Sequence, residues 1–568
     1  MRLTISKSKN AEQLYITKAF RVNKHKTTSK IVKKLGSMES LLPQFDNDRE
    51  SVIAWAKEEA KKMTEEEKKN ELKIPVELSE TKQIALDERN SFHGGYLFLQ
   101  KLFYETGLQK ICRKIDVKYD YQYKLADILS GLIYARILSP SSKRSSFSYL
   151  KELLEEPTFS QHDIYRALDI LYRESDFIQA EVYKASAKTR NTSVLYYDCT
   201  NYFFEIEEDD ELRKYGKSKE HRPNPIVQMG LFLDGNGIPL AFTIFPGNKN
   251  EQPTLIPLEK QIIKDFQLSQ FIICTDAGLA SLANRRFNDR QNRSFVVTQS
   301  LKVLPSHLQE WALSPEGWSL EGDDTLYDLS KIDDEMYLKC VFHKERWIHE
   351  NDFGQRLIVS YSPKYKQYER EVRERQIQRA KKLVEKGTLT KNLNSPKRFI
   401  EEIQMTLDGV IADQKVSSLN EEKIAEEEKY DGFTAVCTTL TDDVSEILKI
   451  NRRRWEIEES FRIMKSEFKA RPVYLQKSER IQAHFLTCFL SLLIFRLLEQ
   501  KLSEAYTADE LISTLKTMDF QRLKGIGYIP SYTRTEITDS LHKCSGFRTD
   551  SELITDKKMK EIFKATKK

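Results

Sequence analysis

The order of hydrophobic and polar positions changes along the chain. Between about residues 95 and 190, apolar residues recur every three or four positions, as in KLADILSGLIYARIL, which predicts a compact helical module. From residue 193 the β-branched and aromatic runs SVLYYDCTNYFF and PIVQMGLFLDGNGIPLAFTIFPG predict strands, and Asp234-Gly235-Asn236-Gly237 predicts a hairpin turn. A helix at 252–266, the strand QFIICTD, a helix through LASLANRRFND and the strand RSFVVTQSL follow. This alternation predicts a mixed sheet flanked by helices.

Smaller units are expected on either side of this sheet. QLYITKAFRV and SKIVKKLG predict a basic hairpin around the polar break Asn23 to Thr28, followed by a charged helical linker over about 46–72. Between 302 and 430 the strand-like pieces TLYDLS, MYLKCVF and QRLIVSYS, together with a long basic helix at 366–386, predict an inserted domain. The core resumes with the strand GFTAVCTTL at 432–440 and a strong helix from about Asp442 to Ala470.

These patterns divide the chain into six expected regions. TFSQHDIYRALDILYRES, with Ser160 as a helix cap, is also compatible with half of a helix-turn-helix. The regions are 1–90 (basic hairpin and charged helical linker), 91–190 (helical domain), 191–301 (first part of the α/β core), 302–430 (inserted β-rich domain with the basic helix), 431–500 (second part of the core) and 501–568 (C-terminal helices).

Composition favours a globular, multi-domain protein. The 568 residues are 39% hydrophobic and 31% charged, and 91 basic against 86 acidic residues leave a net charge of only +5. The charge is nevertheless uneven, because residues 1–40 contain ten Lys or Arg against two Glu, and residues 364–398 contain twelve against four acids. Such segments neutralise phosphates, although an ordinary solvated surface is an equal alternative for each.

The cysteines and the apolar segments indicate in which cellular compartment the protein is expected. The seven cysteines are scattered without a C-x-x-C pair, which argues against a disulfide scaffold or a zinc ribbon and implies a reducing cytoplasm. The start of the chain has no apolar signal-peptide core, and the longest apolar stretch, Phe485–Phe495, suits a buried helix better than a membrane span. We therefore expect no membrane association.

Two aspartates share one position relative to their strands. Asp198 and Asp276 each follow an apolar run and are expected at the carboxyl ends of two strands, the edge of an open α/β sheet where binding sites collect. Each alone is equally well explained as a turn cap. Their shared position favours a common site.

The helix NRRRWEIEESFRIMKSEF supplies a third acid. At about 100° per residue, Asn451, Arg454, Glu458 and Lys465 fall within a stripe about 60° wide, so Glu458 rather than Glu459 is the predicted inward acid. The alternative is a solvated face with an Arg454–Glu458 pair at i, i+4. The face predicted to pack on the sheet consists of Ile457, Phe461, Met464 and Phe468.

Three carboxylates without His or Cys match hard cations such as Mg²⁺ or Mn²⁺, and two such ions about 4 Å apart perform phosphate chemistry. Arg454 and Lys465 would then hold phosphates. His343 and His349 have no matching downstream cluster and are expected to be surface or packing residues, whereas His484 is expected in the core. Neither a Walker A loop nor a dinucleotide fingerprint is present.

These residues resemble those of the bacterial insertion-sequence transposases with a ribonuclease H-like DDE catalytic domain. The family signature is Tyr, two residues, Arg, three residues, Glu, six residues, Lys. Here it corresponds to Asn451, Arg454, Glu458 and Lys465 with every spacing kept, and only the Tyr is replaced. The order of the acids also matches, with the first after the first strand, the second after the fourth and Glu on a helix beyond a β-rich insertion. The similarity covers about residues 193–500.

The resemblance implies an α/β protein with a ribonuclease H-like mixed-sheet core, a β-rich insertion, an N-terminal basic hairpin and helical domain, and C-terminal helices. Asp198, Asp276 and Glu458 would be catalytic and bind two Mg²⁺ or Mn²⁺ ions, while Asn451, Arg454 and Lys465 would contact DNA. Residues 91–190 would be a DNA-end-binding domain.

The implied enzyme binds the inverted-repeat ends of an insertion sequence, cleaves there and joins the ends to target DNA as a homodimer, in the bacterial cytoplasm with the nucleoid. The alternatives are a ribonuclease H-like nuclease without strand transfer and a catalytically inactive DNA-binding derivative.

Overall fold

A computed structural model describes residues 1–8, 11–23, 26–71, 76, 79–81, 83–290, 292–386, 399–403 and 416–568 of the chain. The chain forms two compact units, Met1–Glu88 and Arg89–Lys568. The last part of the basic segment 364–398, from residue 387, lies outside the described residues, as do two residues of the predicted break between Asn23 and Thr28.

The first unit is a three-stranded antiparallel sheet covered by a helix. The predicted hairpin is present, and a preceding strand that the sequence analysis missed pairs with its first strand. The predicted linker helix is not a free spacer, because its buried Val52 and Ala56 share a small core with Leu14 of the sheet. The elements are β1 (Arg2–Ser8), β2 (Ala11–Asn23), β3 (Lys26–Ser37), α1 (Met38–Leu41) and α2 (Arg49–Glu71).

The second unit begins with a short strand and the predicted helical module. Ser160 caps one of its helices as expected, in a reciprocal capping box with Asp163. The elements are β4 (Ser91–His93), α3 (Tyr96–Glu105), α4 (Leu108–Asp116), α5 (Leu125–Leu138), α6 (Lys143–Leu150), α7 (Gln161–Arg173) and α8 (Ser175–Ser186).

Most of the remaining elements build a ten-stranded mixed sheet and the helices on its faces, and the strands at 400–403 and 416–419 form a separate antiparallel pair. In chain order they are β5 (Val194–Phe203), β6 (Ile226–Asp234), β7 (Pro239–Pro246), α9 (Leu255–Asp265), β8 (Phe271–Thr275), α10 (Leu282–Asn288), β9 (Arg293–Gln299), α11 (Ser306–Leu313), β10 (Trp318–Leu320), β11 (Asp323–Tyr327), β12 (Phe342–Glu350), β13 (Phe353–Tyr361), α12 (Pro363–Lys386), β14 (Ile400–Ile403), β15 (Val416–Leu419), α13 (Glu421–Glu428), β16 (Phe433–Thr438), α14 (Val444–Arg452), α15 (Trp455–Ser466) and α16 (Ser478–Lys501). After α16 come α17 (Ala508–Lys516), β17 (Asp519–Leu523), β18 (Gly527–Pro530), α18 (Glu536–Ser545), β19 (Ile554–Thr555) and α19 (Asp556–Thr566).

The strand order is β11-β10-β12-β13-β16-β9-β8-β5-β6-β7. β5, β6 and β7 form an antiparallel meander, whereas β8 joins β5 and β9 joins β8 in parallel. The mixed sheet predicted from the sequence is therefore present. The carboxyl ends of β5, β7, β8 and β9 meet at one edge.

The segment predicted as an insertion does not build its main strands into a sheet of their own. β10 to β13 lengthen the same sheet, because β16 pairs with β9 on one side and with β13 on the other. The predicted strand MYLKCVF is wrong except for its last residue, Phe342, with which β12 begins. The long basic helix is confirmed as α12.

The helix expected from Asp442 to Ala470 is two helices. Between α14 and α15 the main-chain N–H groups of Arg454, Glu456 and Ile457 each bind the carbonyl three residues earlier, the tighter 3₁₀ pattern. A single helical projection therefore does not apply across this break, and Asn451 lies on a different helix from Glu458. The predicted packing face is nevertheless buried.

The tail was expected to be helical throughout, but it also contains three strands, and β17 pairs with β4 near the start of the unit. α16 has the length and composition of a membrane span, yet 83% of its most apolar window is buried inside the protein. It packs against α3, α5, α7 and β7, which makes it a core helix. His484 on this helix is buried as predicted, and its Nε2 lies 3.0 Å from the carbonyl oxygen of Ala470.

A buried ion pair fixes the turn between β6 and β7. Asp234 accepts from the main-chain N–H groups of Asn236 and Ile238 at 2.9 and 3.1 Å. Its other oxygen lies 3.0 Å from Arg190 Nη1, and the two side chains are 0% and 4% exposed. Gly237 closes the turn with a φ of +73°, a conformation that side chains disfavour.

We predict that Asp234→Ala lowers the free energy of unfolding by about 3–5 kcal/mol, because it leaves the guanidinium of Arg190 buried and unpaired. The measurement is urea unfolding followed by circular dichroism. Asp328→Ala, which removes the partner of the exposed Lys331, is the matched control and should change stability much less. Equal losses in the two variants would contradict the prediction.

Candidate active site

The register between β5 and β8 brings the two aspartates together. The strands pair in parallel with Val194 opposite Ile272 and Tyr196 opposite Cys274. The same offset, continued by two residues, sets Asp198 opposite Asp276. Asp276 directly follows β8 as expected, but Asp198 lies inside β5, which continues beside β6 to Phe203. Asp198 is thus past the parallel pairing rather than past its own strand.

The alternation of side chains along β5 decides which face Asp198 occupies. Tyr196 and Tyr202 share its parity, and both belong to the core that contains Ile457 and Met464 of α15. Tyr197, of opposite parity, packs in the core on the other face of the sheet. Asp198 therefore lies on the face covered by α15.

The surroundings of Asp198 disfavour its charged form. The pKa of Asp198 is raised from its ordinary 3.8 to about 7, first by burial and then by the carboxylates of Asp276 and Glu251, against the opposing effect of Lys219. The main-chain N–H of Cys199 donates to its Oδ1 at 2.7 Å. The negative charge at this position is incompletely balanced by the protein.

Asp276 is held by the main chain that follows it. Its Oδ1 accepts from the N–H of Leu279 at 3.2 Å, which caps the short 3₁₀ helix Ala277–Leu279. This is the turn-capping role that the sequence left open, and it also fixes the carboxylate beside the end of β8. Among the residues that the structure describes, no hydrogen bond to its second oxygen is found.

Glu458 lies apart from the two aspartates. Its side chain is 62% exposed and pairs only loosely with Arg454, at 3.8 Å from Nη2. Glu459 is less exposed, at 27%, and binds Arg462, so the expectation that Glu458 is the inward acid is wrong for this conformation. The ion pair with Arg462 covers Glu459, whereas Glu458 faces solvent. Across the described residues, the carboxylates of Asp198, Asp276 and Glu458 do not all lie within 4.8 Å of one another.

The three predicted DNA contacts lie near three different strands. Asn451 accepts from the hydroxyl of Thr298 on β9 at 3.2 Å. Arg454 is close enough to Cys274 on β8 to oppose the rise that burial causes in the pKa of that thiol. The Nζ of Lys465 lies 5.6 Å from the ring centre of Tyr202 on β5. Burial lowers the pKa of Lys465 to about 8, and the charge of Lys219 adds to this effect.

Three charged residues of the site were missed in the sequence. Lys219 pairs with Glu251 at 3.2 Å and donates to the carbonyl of Cys199. Glu220 pairs with Lys465 at 3.4 Å and also binds Arg471. They lie in the connections after β5 and β7, which reach the same edge as Asp276. The strand-end rule applied to the aspartates also points to the polar segments KSKEHR and GNKNE, but it does not single out these charges within them.

Close backbone contacts bring these two connections together. A Cβ atom at Gly216 would lie 2.1 Å from the carbonyl oxygen of Gly247, so only glycine allows the crossing. The buried amide of Gln228 donates to the carbonyls of Gly247 and Lys249 at 2.9 and 2.8 Å. The site's loops are therefore anchored to β6.

The donor set fits a hard divalent cation. Asp198 and Asp276 offer carboxylate oxygens, the ligand type that Mg²⁺ and Mn²⁺ prefer. The raised pKa of Asp198 shows that an additional positive charge would stabilise the ionised pair. Glu458 would complete the set only after a movement of its side chain or of α15.

A second cluster also has metal-ligand spacing. The ligand atoms of Asp539, His542 and Asp550 all lie within 4.8 Å of one another. Arg534 and Arg548 bind both aspartates, however, with Arg534 Nε at 2.9 Å and Arg548 Nη2 at 2.7 Å from Asp539. The acids are already neutralised, so this cluster is an ion-pair network.

The chain matches the profile of the family described as "Transposase DDE domain" over residues 202–494, just over half of its length. Asp276 and Glu458 lie within the match, and Asp198 lies four residues before it. No curated protein sequence matches the chain.

Two solved structures are similar to this chain. One is the cryo-EM structure of the piggyBac transposase synaptic complex with hairpin DNA, at 8% identity and a TM-score of 0.37, covering 82% of this chain and 87% of that one. The other is the Mos1 transposase paired-end complex with left transposon end, at 14% identity and a TM-score of 0.14, covering 46% and 70%. At such scores neither likeness carries over a residue or a partner.

The buried carboxyl of Asp198 should make the free energy of unfolding of the metal-free protein depend on pH. Because its pKa is raised from 3.8 to about 7 on folding, the folded state holds the proton more tightly, and stability falls as pH rises through this window. We predict that the stability of Asp198→Asn relative to the unmodified protein increases from about pH 4 to pH 7 and is constant above. Urea unfolding in EDTA measures it, and a difference that does not vary with pH would disprove it.

Proposed function

This chain belongs to the transposase DDE domain family, and from this premise we propose that it cuts DNA at the inverted-repeat ends of an insertion sequence and joins the freed 3′ ends to a target. The observation that carries the proposal is the pairing register that sets Asp198 opposite Asp276 on the face covered by the Glu458 helix. Carboxylates beside cations on one face suit a phosphoryl-transfer site.

We also propose that β5 to β9 form a ribonuclease H-like core. The support is their arrangement, because three consecutive antiparallel strands are joined by two parallel strands on the other side of the first. The first acid is on the first of these strands and the second acid follows the fourth, which is the order expected from the sequence.

In the proposed mechanism Asp198, Asp276 and Glu458 hold Mg²⁺ or Mn²⁺, in a two-ion arrangement. When bound, such ions activate a water or a 3′-hydroxyl and stabilise the leaving oxygen. Asp198 and Asp276 are already adjacent, and Glu458 is exposed and joins them when DNA and metal bind. Arg454 and Lys465 hold DNA phosphates on either side of the acids.

DNA ends are the proposed partners outside the catalytic site. The basic hairpin within residues 1–40 and the helical module at 91–190 are proposed to bind the inverted repeats, and α12, rich in Lys and Arg, to contact the DNA backbone. Joining two ends requires both to be held at once, so we propose that a homodimer assembles on them. Target DNA then binds across the same edge of the sheet.

We predict that Asp198→Asn, Asp276→Asn and Glu458→Gln each reduce DNA cleavage by about a thousandfold or more, because each removes a charged metal ligand. Glu459→Gln, the neighbouring acid on α15, is the matched control and should retain most activity. The assay is cleavage of a duplex that carries one inverted-repeat end with Mg²⁺, with binding of the same duplex measured in parallel.

The products distinguish the alternatives. Strand-transfer products from paired ends support a transposase, whereas cleavage without joining supports a nuclease. End binding without cleavage by the unmodified protein supports an inactive derivative. Normal turnover by any of the three variants would remove that residue from the set of catalytic acids.

We predict that Arg454→Ala and Lys465→Ala each weaken DNA binding and reduce the slope of log affinity against log salt by about one, because each removes one phosphate contact. Lys543→Ala, on α18, is a control with the same change of charge. Affinities measured by fluorescence anisotropy at several salt concentrations test this. An unchanged slope would identify Arg454 or Lys465 as a structural residue.

A further inference from the structure

Lys219 places a positive charge inside the cluster of acids. Its Nζ lies 3.2 Å from Glu251 Oε1 and binds the carbonyl of Cys199, the residue after Asp198. Burial alone would lower the pKa of Lys219, but the carboxylates of Asp198 and Glu251 outweigh this effect and raise it. The ammonium of Lys219 therefore pairs directly with Glu251 and acts on Asp198 at longer range.

Glu220, the next residue, has the opposite role. Its carboxylate pairs with Lys465 at 3.4 Å and also binds Arg471. The guanidinium of Arg471 in turn lies 4.7 Å from the ring centre of Phe203, at the end of β5. Glu220 thus neutralises two cations beside the candidate site, Lys465 and Arg471, as a bound DNA phosphate would.

The main chain of this segment is fixed, whereas the side chain of Lys219 reaches solvent. The N–H of Lys219 donates to Asn201 Oδ1 at 3.3 Å, and Asn201 Nδ2 donates to the carbonyl of Lys217 at 3.2 Å. Asn201 is 2% exposed, so it is a rigid anchor. The side chain of Lys219 is 41% exposed and can leave the acids without any movement of the loop.

We propose that Lys219 and Glu220 are charge surrogates, Lys219 standing in for the divalent cation and Glu220 for a DNA phosphate until both ligands bind. The inference rests on the proposed function of the site as a metal-dependent DNA-cutting centre. A divalent cation at Asp198 and the ammonium of Lys219 repel each other, so metal binding displaces Lys219 from this acid. Its ammonium is then free to bind a DNA phosphate.

The proposed role of Lys219 predicts that the loss of its charge strengthens metal binding. Lys219→Met, which keeps length and removes charge, should tighten Mn²⁺ binding in the absence of DNA by roughly threefold to tenfold. Lys219→Arg keeps the charge and should bind Mn²⁺ as the unmodified protein does. Lys217→Met, an exposed lysine two residues away, is the matched control and should also be unchanged. Mn²⁺ titration by electron paramagnetic resonance on the full chain measures free metal directly.

The proposed role of Glu220 is tested by measuring DNA binding in the absence of metal. Glu220→Gln should tighten binding of a short duplex of unrelated sequence in EDTA by roughly threefold or more, because Lys465 and Arg471 become available. Glu211→Gln, an exposed acid in the same connection, makes the same change of net charge and should have a smaller effect. Fluorescence anisotropy at fixed salt gives both affinities.

The outcomes separate this inference from the proposed function. Equal Mn²⁺ affinity in Lys219→Met, Lys217→Met and the unmodified protein, or weaker binding in Lys219→Met, overturns the role of Lys219. Equal gains in Glu220→Gln and Glu211→Gln overturn the role of Glu220. A loss of Mn²⁺ binding in Lys219→Met together with a lowered melting temperature identifies Lys219 as a structural residue. Failure of the unmodified protein to cleave DNA contradicts the proposed function instead, and leaves the metal titration interpretable.

Discussion

The parallel pairing of β5 with β8 is the constraint on which the candidate site depends. It alone sets Asp198 beside Asp276, two residues that are far apart in the chain. If β5 slipped by one residue, Asp198 would point into the core that now holds Tyr197 and Cys199. Those two side chains would move to the opposite face of the sheet. The hydrophobic cores on both faces therefore protect the register, and with it the approach of the two acids.

Local sequence pattern predicted the parts of this arrangement that depend on neighbouring residues. The turn at Asp234 to Gly237, the strand that ends before Asp276 and the buried face of α15 all follow from periodicity and turn chemistry. Helical projection selected Glu458 as the third acid, and the resemblance to a known family added its catalytic role. These sources were enough for the sheet and for two of its acids.

Features that depend on contacts distant in sequence were not predictable in the same way. The break before α15 leaves its apolar face intact, so periodicity continues across it without a signal. The strands β10 to β13 look like an independent unit along the chain, and only pairing between β13 and β16 joins them to the sheet. Lys219 and Glu251 lie in polar connections, where charge alone does not distinguish a solvated loop from a site.

Helix α16 has a further consequence for how the protein can be divided. It buries its apolar surface against α3, α5 and α7 of the helical module and, at the same time, against β7 of the sheet. A fragment ending after α8 would leave the module without the helix that completes its interior, and a fragment starting at β5 would expose the opposite side of that helix. Recombinant pieces cut at this boundary should therefore be prone to aggregation, and the two regions are expected to be inherited, expressed and unfolded together.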